Sequence, residues 1–150
     1  MKDYSLEAYI TTNVKGPARQ KAWYGWVLEY VDRIGELRTR EGFKETEGTE
    51  TAINIRALGD MLSHLNRPCR VHIHTDCRQI EAAIKNGWLK SWSENNWKNK
   101  SGKNVKNKDD WEETWKHAES HELTAAYDPK HSYSEWILRE IEGRAKTCQI

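Results

Sequence analysis

The stretch Val71–Trp115, VHIHTDCRQIEAAIKNGWLKSWSENNWKNKSGKNVKNKDDWEETW, decides how the chain is read. It opens with His72, His74 and Asp76 at alternate positions, a pattern that can hold a metal. On a strand the three share a face with neighbours about 6–7 Å apart, which is awkward for one ion unless the strand ends and turns there. His117, His121 and His131 lie downstream but at no ligand spacing. The plainer expectation is that His72 and His74 are hydrogen-bonded on a half-buried strand face. Asp76 is then a single carboxylate at a strand end. Further along, Trp88 and Trp92 are four apart and share a helix face. From Trp88 to Lys108 there are six lysines and one acid, Glu94, while the next residues, DDWEETW, are acidic. A local basic patch therefore exists although the chain's net charge is only +1.

Outward from this stretch, periodicity supplies the other elements. Residues 5–12 and 21–31 alternate apolar and polar or are rich in aromatic and β-branched side chains, and predict two strands. LRTREGF (37–43) predicts a third, more exposed strand, so the three form an antiparallel meander. Ala57, Leu58, Met61, Leu62 and Leu65 recur at helical spacing and predict an amphipathic helix over 50–65, capped by Thr49 or Thr51. A strand from Arg70 to Thr75 follows, then helical segments over 78–86, 88–95 and from Asp109 to about His117, a strand over 122–127 and a closing helix over 132–145. The order predicts a mixed α/β sheet with helices packed on it.

A length of 150 residues, with 37% hydrophobic and 31% charged content, suits one globular domain spanning 1–150. No apolar run approaches a membrane span, and no secretory leader is evident at the start. Cys69, Cys77 and Cys148 have no C-x-x-C spacing, which disfavours a disulfide framework and fits a reducing cytoplasm.

The run from His74 to Trp115 resembles type 1 ribonuclease H. The shared features are Thr75-Asp76 at a strand end, Trp88 and Trp92, Trp97-Lys98, Val105-Lys106-Asn107 and Asp110-Trp111. The resemblance implies a ribonuclease H-like fold with a five-stranded mixed sheet. It also implies a basic handle that grips the DNA strand of an RNA–DNA hybrid, using Trp88, Trp92, Lys98, Lys100, Lys103 and Lys106. In the family, four carboxylates hold two magnesium ions that align water on a phosphodiester. Here only Asp76 remains. Thr12 stands at the first position, Asn54 at the second and Ser134, with Glu135 beside it, at the last. Such a set should bind magnesium weakly, through Asp76, and hold no metal pair.

The expectation is thus a degenerate member that binds nucleic acid, RNA–DNA hybrid or another duplex, without cleaving it and with no cofactor required. One alternative is an active, magnesium-dependent enzyme with a site rebuilt from Glu50, Asp128, His131 or Glu135. The other is a protein-interaction module that keeps only the fold and binds a protein partner.

Overall fold

A computed structural model of the chain describes residues 4–147; Cys148 lies outside them. The elements are β1 (Tyr4–Thr12), β2 (Gln20–Val31), β3 (Leu37–Gly48), α1 (Glu50–Ser63), β4 (Cys69–Thr75), α2 (Arg78–Lys85), α3 (Trp88–Glu94), α4 (Lys108–Ala118), β5 (Glu122–Tyr127) and α5 (Ser134–Thr147). The five strands form one sheet in the order β3-β2-β1-β4-β5. β1, β2 and β3 are antiparallel, whereas β4 runs parallel to β1 and β5 parallel to β4. This is the mixed α/β sheet that the element order predicts, with the five strands that the resemblance implies.

Alternation along the strands sorts the two faces. Leu6, Ala8 and Ile10 of β1, Trp26 and Leu28 of β2, and Val71 and Ile73 of β4 point to one side, where they meet Ile53, Leu58, Met61 and Leu62 of α1. Each of these helix residues is 0–1% exposed. Truncating one, as in Leu58→Ala, would cost about 2–5 kcal/mol in lost transfer energy and cavity. The other side is thinner: Tyr9 and Val27 pack with Ile137 and Ile141 of α5.

α1 starts where Thr49 accepts a hydrogen bond from the Ala52 N–H at 3.2 Å, satisfying an orphan donor of the first turn. It packs closely on α4 at Gly59, where a Cβ would sit 2.6 Å from Thr114 Oγ1. That hydroxyl donates to the Ile55 carbonyl at 3.0 Å, so the two helices are bonded as well as packed. Arg56 adds an ion pair with Asp110 at 2.9 Å.

Some boundaries differ from expectation, and α5 runs over Ser134–Thr147 rather than 132–145. β3 continues past Phe43 to Gly48, in unbroken register with β2 down to Gln20↔Gly48. Its second half, KETEG, is polar on both faces because this strand is an open edge of the sheet. α1 ends at Ser63 rather than 65, since His64 and Leu65 close the last turn through bonds to Met61 and Leu62. Among the described residues no helix is long and apolar enough to cross a membrane.

Candidate functional site

Thr12 and Asp76 leave the sheet at the same end, since β1 and β4 are parallel neighbours with Tyr9 opposite His74. Asp76 lies just past β4. Thr75 anchors the turn: its hydroxyl accepts from the Cys77 N–H at 3.0 Å and its carbonyl from the Asp128 N–H at 2.7 Å. Burial pushes the Asp76 carboxyl above the usual carboxylate range, against weaker pulls from its own backbone N–H and from His131. Its Oδ1 is buried without a hydrogen-bond partner.

Asn54 projects from α1 and is 0% exposed. Its amide nitrogen donates to the Glu50 carbonyl at 3.0 Å, and its Oδ1 is likewise buried and unpartnered. Glu50, in the first turn of α1, is close enough to Cys77 to act on its thiol together with Asp76; with burial as the main cause, that thiol is pushed up to about 11. Thr12 is half-buried, and its hydroxyl accepts from the Val14 N–H at 3.4 Å. Ser134 is the first residue of α5, buried, and donates to the Pro129 carbonyl at 3.4 Å; Glu135 beside it is exposed.

His131 lies against the end of β1. Its Nε2 is 3.0 Å from the Ile10 carbonyl and 2.8 Å from Thr11 Oγ1. A carbonyl can only accept, so Nε2 carries the proton, and Nδ1 accepts from the Tyr133 N–H at 3.1 Å. Burial lowers the affinity of the ring for a second proton. Both nitrogens of this neutral imidazole are thus committed to the backbone, and the ring seals the end of β1. His72 and His74 project from the other positions of β4, where they bond Thr124, Asp128 and Glu7. The expectation of satisfied histidines on a half-buried face matches this arrangement, while Asp76 belongs to no close group of three metal-ligating side chains among the described residues.

Do these groups fit a magnesium pair? Asp76 and Asn54 each keep one buried side-chain oxygen without a hydrogen-bond partner. Two hard dications need several converging carboxylates to offset their charge. Asp76 is one; Glu50 in the first turn of α1 acts on the adjacent Cys77, Thr12, Asn54 and Ser134 offer only neutral oxygens, and Asp128 is engaged by His74 at 3.2 Å. The residues present do not fit the pair.

A second region adjoins this one. Trp97 and Val105 are buried, and the segment between them folds into a small hairpin. The Val105 N–H donates to the Trp97 carbonyl at 2.9 Å and the Asn99 N–H to the Lys103 carbonyl at 2.8 Å. Asn99 Oδ1 accepts from Ser101 and Lys103, and Lys98 Nζ donates to Asn104 at 2.9 Å. Lys98, Lys100, Lys103 and Lys106 are all exposed on this braced loop. The tryptophans serve mainly as its support. Trp111 is buried, Trp92 packs on it at 5.9 Å between ring centroids, and Trp88 is outermost, 42% exposed and 5.8 Å from Trp92.

Between the hairpin and the starts of α1 and α2 runs a groove of about 380 Å³ lined by Thr51, Arg78, Gln79, Trp88, Lys106 and Asn107, among others. Thr51, Arg78 and Gln79 stand in the first turns of α1 and α2, where backbone N–H groups favour anions. Sequence reasoning missed these three, because they join the handle only once α1 and α2 are packed side by side.

A family model described as RNase H matches residues 15–135. The ribonuclease H of Clostridium botulinum is 32% identical over 116 residues, covering 77% of this chain and 75% of that protein. That of Thermoanaerobacter sp. is 29% identical over 126 residues, covering 84% and 79%. Among solved structures, LC9-RNase H1, a type 1 RNase H with the type 2 active-site motif, superposes with a TM-score of 0.73 at 19% identity, covering 98% of this chain and 74% of that one. A foamy viral protease-reverse transcriptase in complex with RNA/DNA hybrid gives 0.62 at 14% identity, covering 94% of this chain and 19% of that one.

Proposed function

Because this chain belongs to the ribonuclease H family, we propose that it binds RNA–DNA hybrid or a related duplex through its basic hairpin and groove, and that it does not cleave the bound strand. The observation that carries binding is the set of four exposed lysines on a braced loop beside a groove that also presents Arg78 and two helix starts. Lysines neutralise phosphates irrespective of sequence, and the first turns of α1 and α2 add oriented N–H groups. The resemblance implies a magnesium pair held by four carboxylates; with Thr12, Asn54 and Ser134 at three of those positions, the lone Asp76 carboxylate supports loss of the metal pair and of hydrolysis. Two free, buried cysteines, Cys69 and Cys77, support a reducing compartment such as the cytoplasm.

A second reading, an active enzyme with a rearranged site, draws on the buried, unpartnered oxygens of Asp76 and Asn54, since a bound cation takes oxygen ligands of this kind. One experiment separates the readings. Labelled hybrid is incubated with the protein and with Asp76→Asn in magnesium and in manganese, and binding is followed in parallel. The expected result is binding by both proteins and no cleavage above the Asp76→Asn level. Metal-dependent cleavage lost in Asp76→Asn would establish the enzyme. Absence of binding even at low salt would leave the fold as a protein-interaction module.

A further inference from the structure

On the face of the sheet turned away from α1, side chains from two strands converge. Glu7 of β1 and His72 of β4 are register partners, and His74 stands two residues further along the same face of β4. One ligand atom from each lies within 4.8 Å of the other two. We propose that Glu7, His72 and His74 form a binding site for a transition-metal dication of the zinc type, separate from the Asp76 pocket.

The hydrogen bonds around the histidines carry the argument. His74 touches two carboxylates, Asp128 at Nδ1 (3.2 Å) and Glu7 at Nε2 (3.0 Å). Carboxylates only accept, so with one ring proton held toward Asp128 the Nε2 lone pair faces the Glu7 oxygen. Two acceptors at that distance repel unless a cation stands between them: a second ring proton, or a metal ion that both ligate. The surroundings favour the metal. His72 Nδ1 is 2.6 Å from Thr124 Oγ1, which leaves its other nitrogen for an ion. Both rings thus have Nδ1 held by an outer oxygen, and Asp128 behind His74 is the arrangement that orients a metal-ligating imidazole and raises its basicity.

The donor set and its rigidity agree. Two imidazoles and one carboxylate suit zinc-class ions rather than magnesium or calcium, which prefer all-oxygen shells. Tetrahedral zinc with bonds of about 2.0–2.1 Å sets its ligand atoms about 3.3 Å apart. The Glu7–His74 pair is already near that spacing, and a modest rotation of the half-exposed Glu7 or of His72 brings in the third atom. The Tyr9 ring stacks on His74 at 4.5 Å and 9°, and His72 meets His74 edge-on at 4.8 Å, so both imidazoles are held by packing on strands. Glu7 and Asp128 both face His74, so a dication held there meets two carboxylates. Three protein ligands leave a fourth position for water or another small ligand.

The test uses the untagged, metal-stripped chain. Zinc chloride is titrated calorimetrically, and cobalt is added separately to look for the absorption of a tetrahedral complex. One equivalent should bind, and zinc but not magnesium at equal concentration should raise Tm. His72→Ala and Glu7→Ala should each abolish the site or weaken it by more than tenfold, and Asp128→Asn should weaken it about ten- to a hundredfold. His117→Ala, a surface histidine beside Glu113, should bind as the unaltered protein does. Melts in chelator verify that each variant folds; if His72→Ala does not, Glu7→Ala decides. No saturable binding, or unchanged affinity in Glu7→Ala, would overturn the proposal.

Discussion

Replacing Lys98, Lys100, Lys103 and Lys106 together by alanine tests the handle with a number attached. Among the described residues, the lysines that pair with carboxylates are Lys21, Lys85, Lys116 and Lys146. The four on the hairpin are not among them, so their charge is available to phosphates. A protein that neutralises Z phosphates of a duplex shows log K falling with log salt at a slope of about 0.9 per phosphate. If each lysine meets one phosphate, the four contribute a slope of about 3.6. Over a threefold rise in salt, from about 50 to about 150 mM, that share weakens binding about fiftyfold. The quadruple variant should lose this share and retain only what Arg78 and the helix starts supply. Fluorescence anisotropy of a labelled hybrid across a salt series reads both affinity and slope. A melt guards against loss of the hairpin, since Lys98 also holds Asn104. Equal affinity and equal slope in the two proteins would refute the handle, whatever the lysines do elsewhere.

Asp76→Asn should stabilise the fold at neutral pH. Desolvation raises the Asp76 carboxyl in the folded state, so its ionisation costs stability as pH rises past the ordinary value of about 3.9 and through the folded value. Urea unfolding across pH should show the gain of the variant at pH 7 shrinking towards zero in acid; a variant less stable than the parent at pH 7 would contradict the assigned environment. The combined change Thr12→Asp, Asn54→Glu and Ser134→Asp should lower Tm in chelator through carboxylate repulsion and recover in magnesium. Magnesium at a hundredfold over its Kd is worth about 2.7 kcal/mol. The parent should gain little under the same conditions. A triple variant indifferent to magnesium would mean that these four positions do not converge.

Much of the fold is legible along the chain because each element carries its own period. The recurrence of Ala57, Leu58, Met61 and Leu62 marks α1, and the aromatic and β-branched run from residue 21 to 31 marks β2. The second half of β3 is not legible, because Phe43–Gly48 has neither alternation nor β-branched content beyond Thr46; its conformation comes from pairing with β2. The handle is visible as an excess of lysine, but its bracing by Asn99 is not, nor is the participation of Thr51 and Arg78 across helices. His72 and His74 are conspicuous, yet Glu7 is not, since nothing local says that residue 7 stands beside residue 72 until the parallel register exists. His131 is a candidate in the sequence, but its packing against β1 is hidden for the same reason: its contacts with Ile10 and Thr11 span 120 residues or more.

The sheet order leaves β3 at one margin and β5 at the other, and the two are guarded differently. A strand margin is a row of unpaired N–H and C=O groups on which another chain can template. β5 is only six residues long, too short to offer much of a template. β3 has twelve, and most of them are exposed. Its side chains run Arg38, Arg40, Glu41, Lys44, Glu45, Glu47, so an added strand would have to bury or oppose charge at almost every step. The same polarity that hides β3 from a hydrophobic reading is what keeps its long open margin from seeding aggregation. Substituting those charges with valine or isoleucine would strengthen the strand's intrinsic preference while turning the margin into an adhesive one.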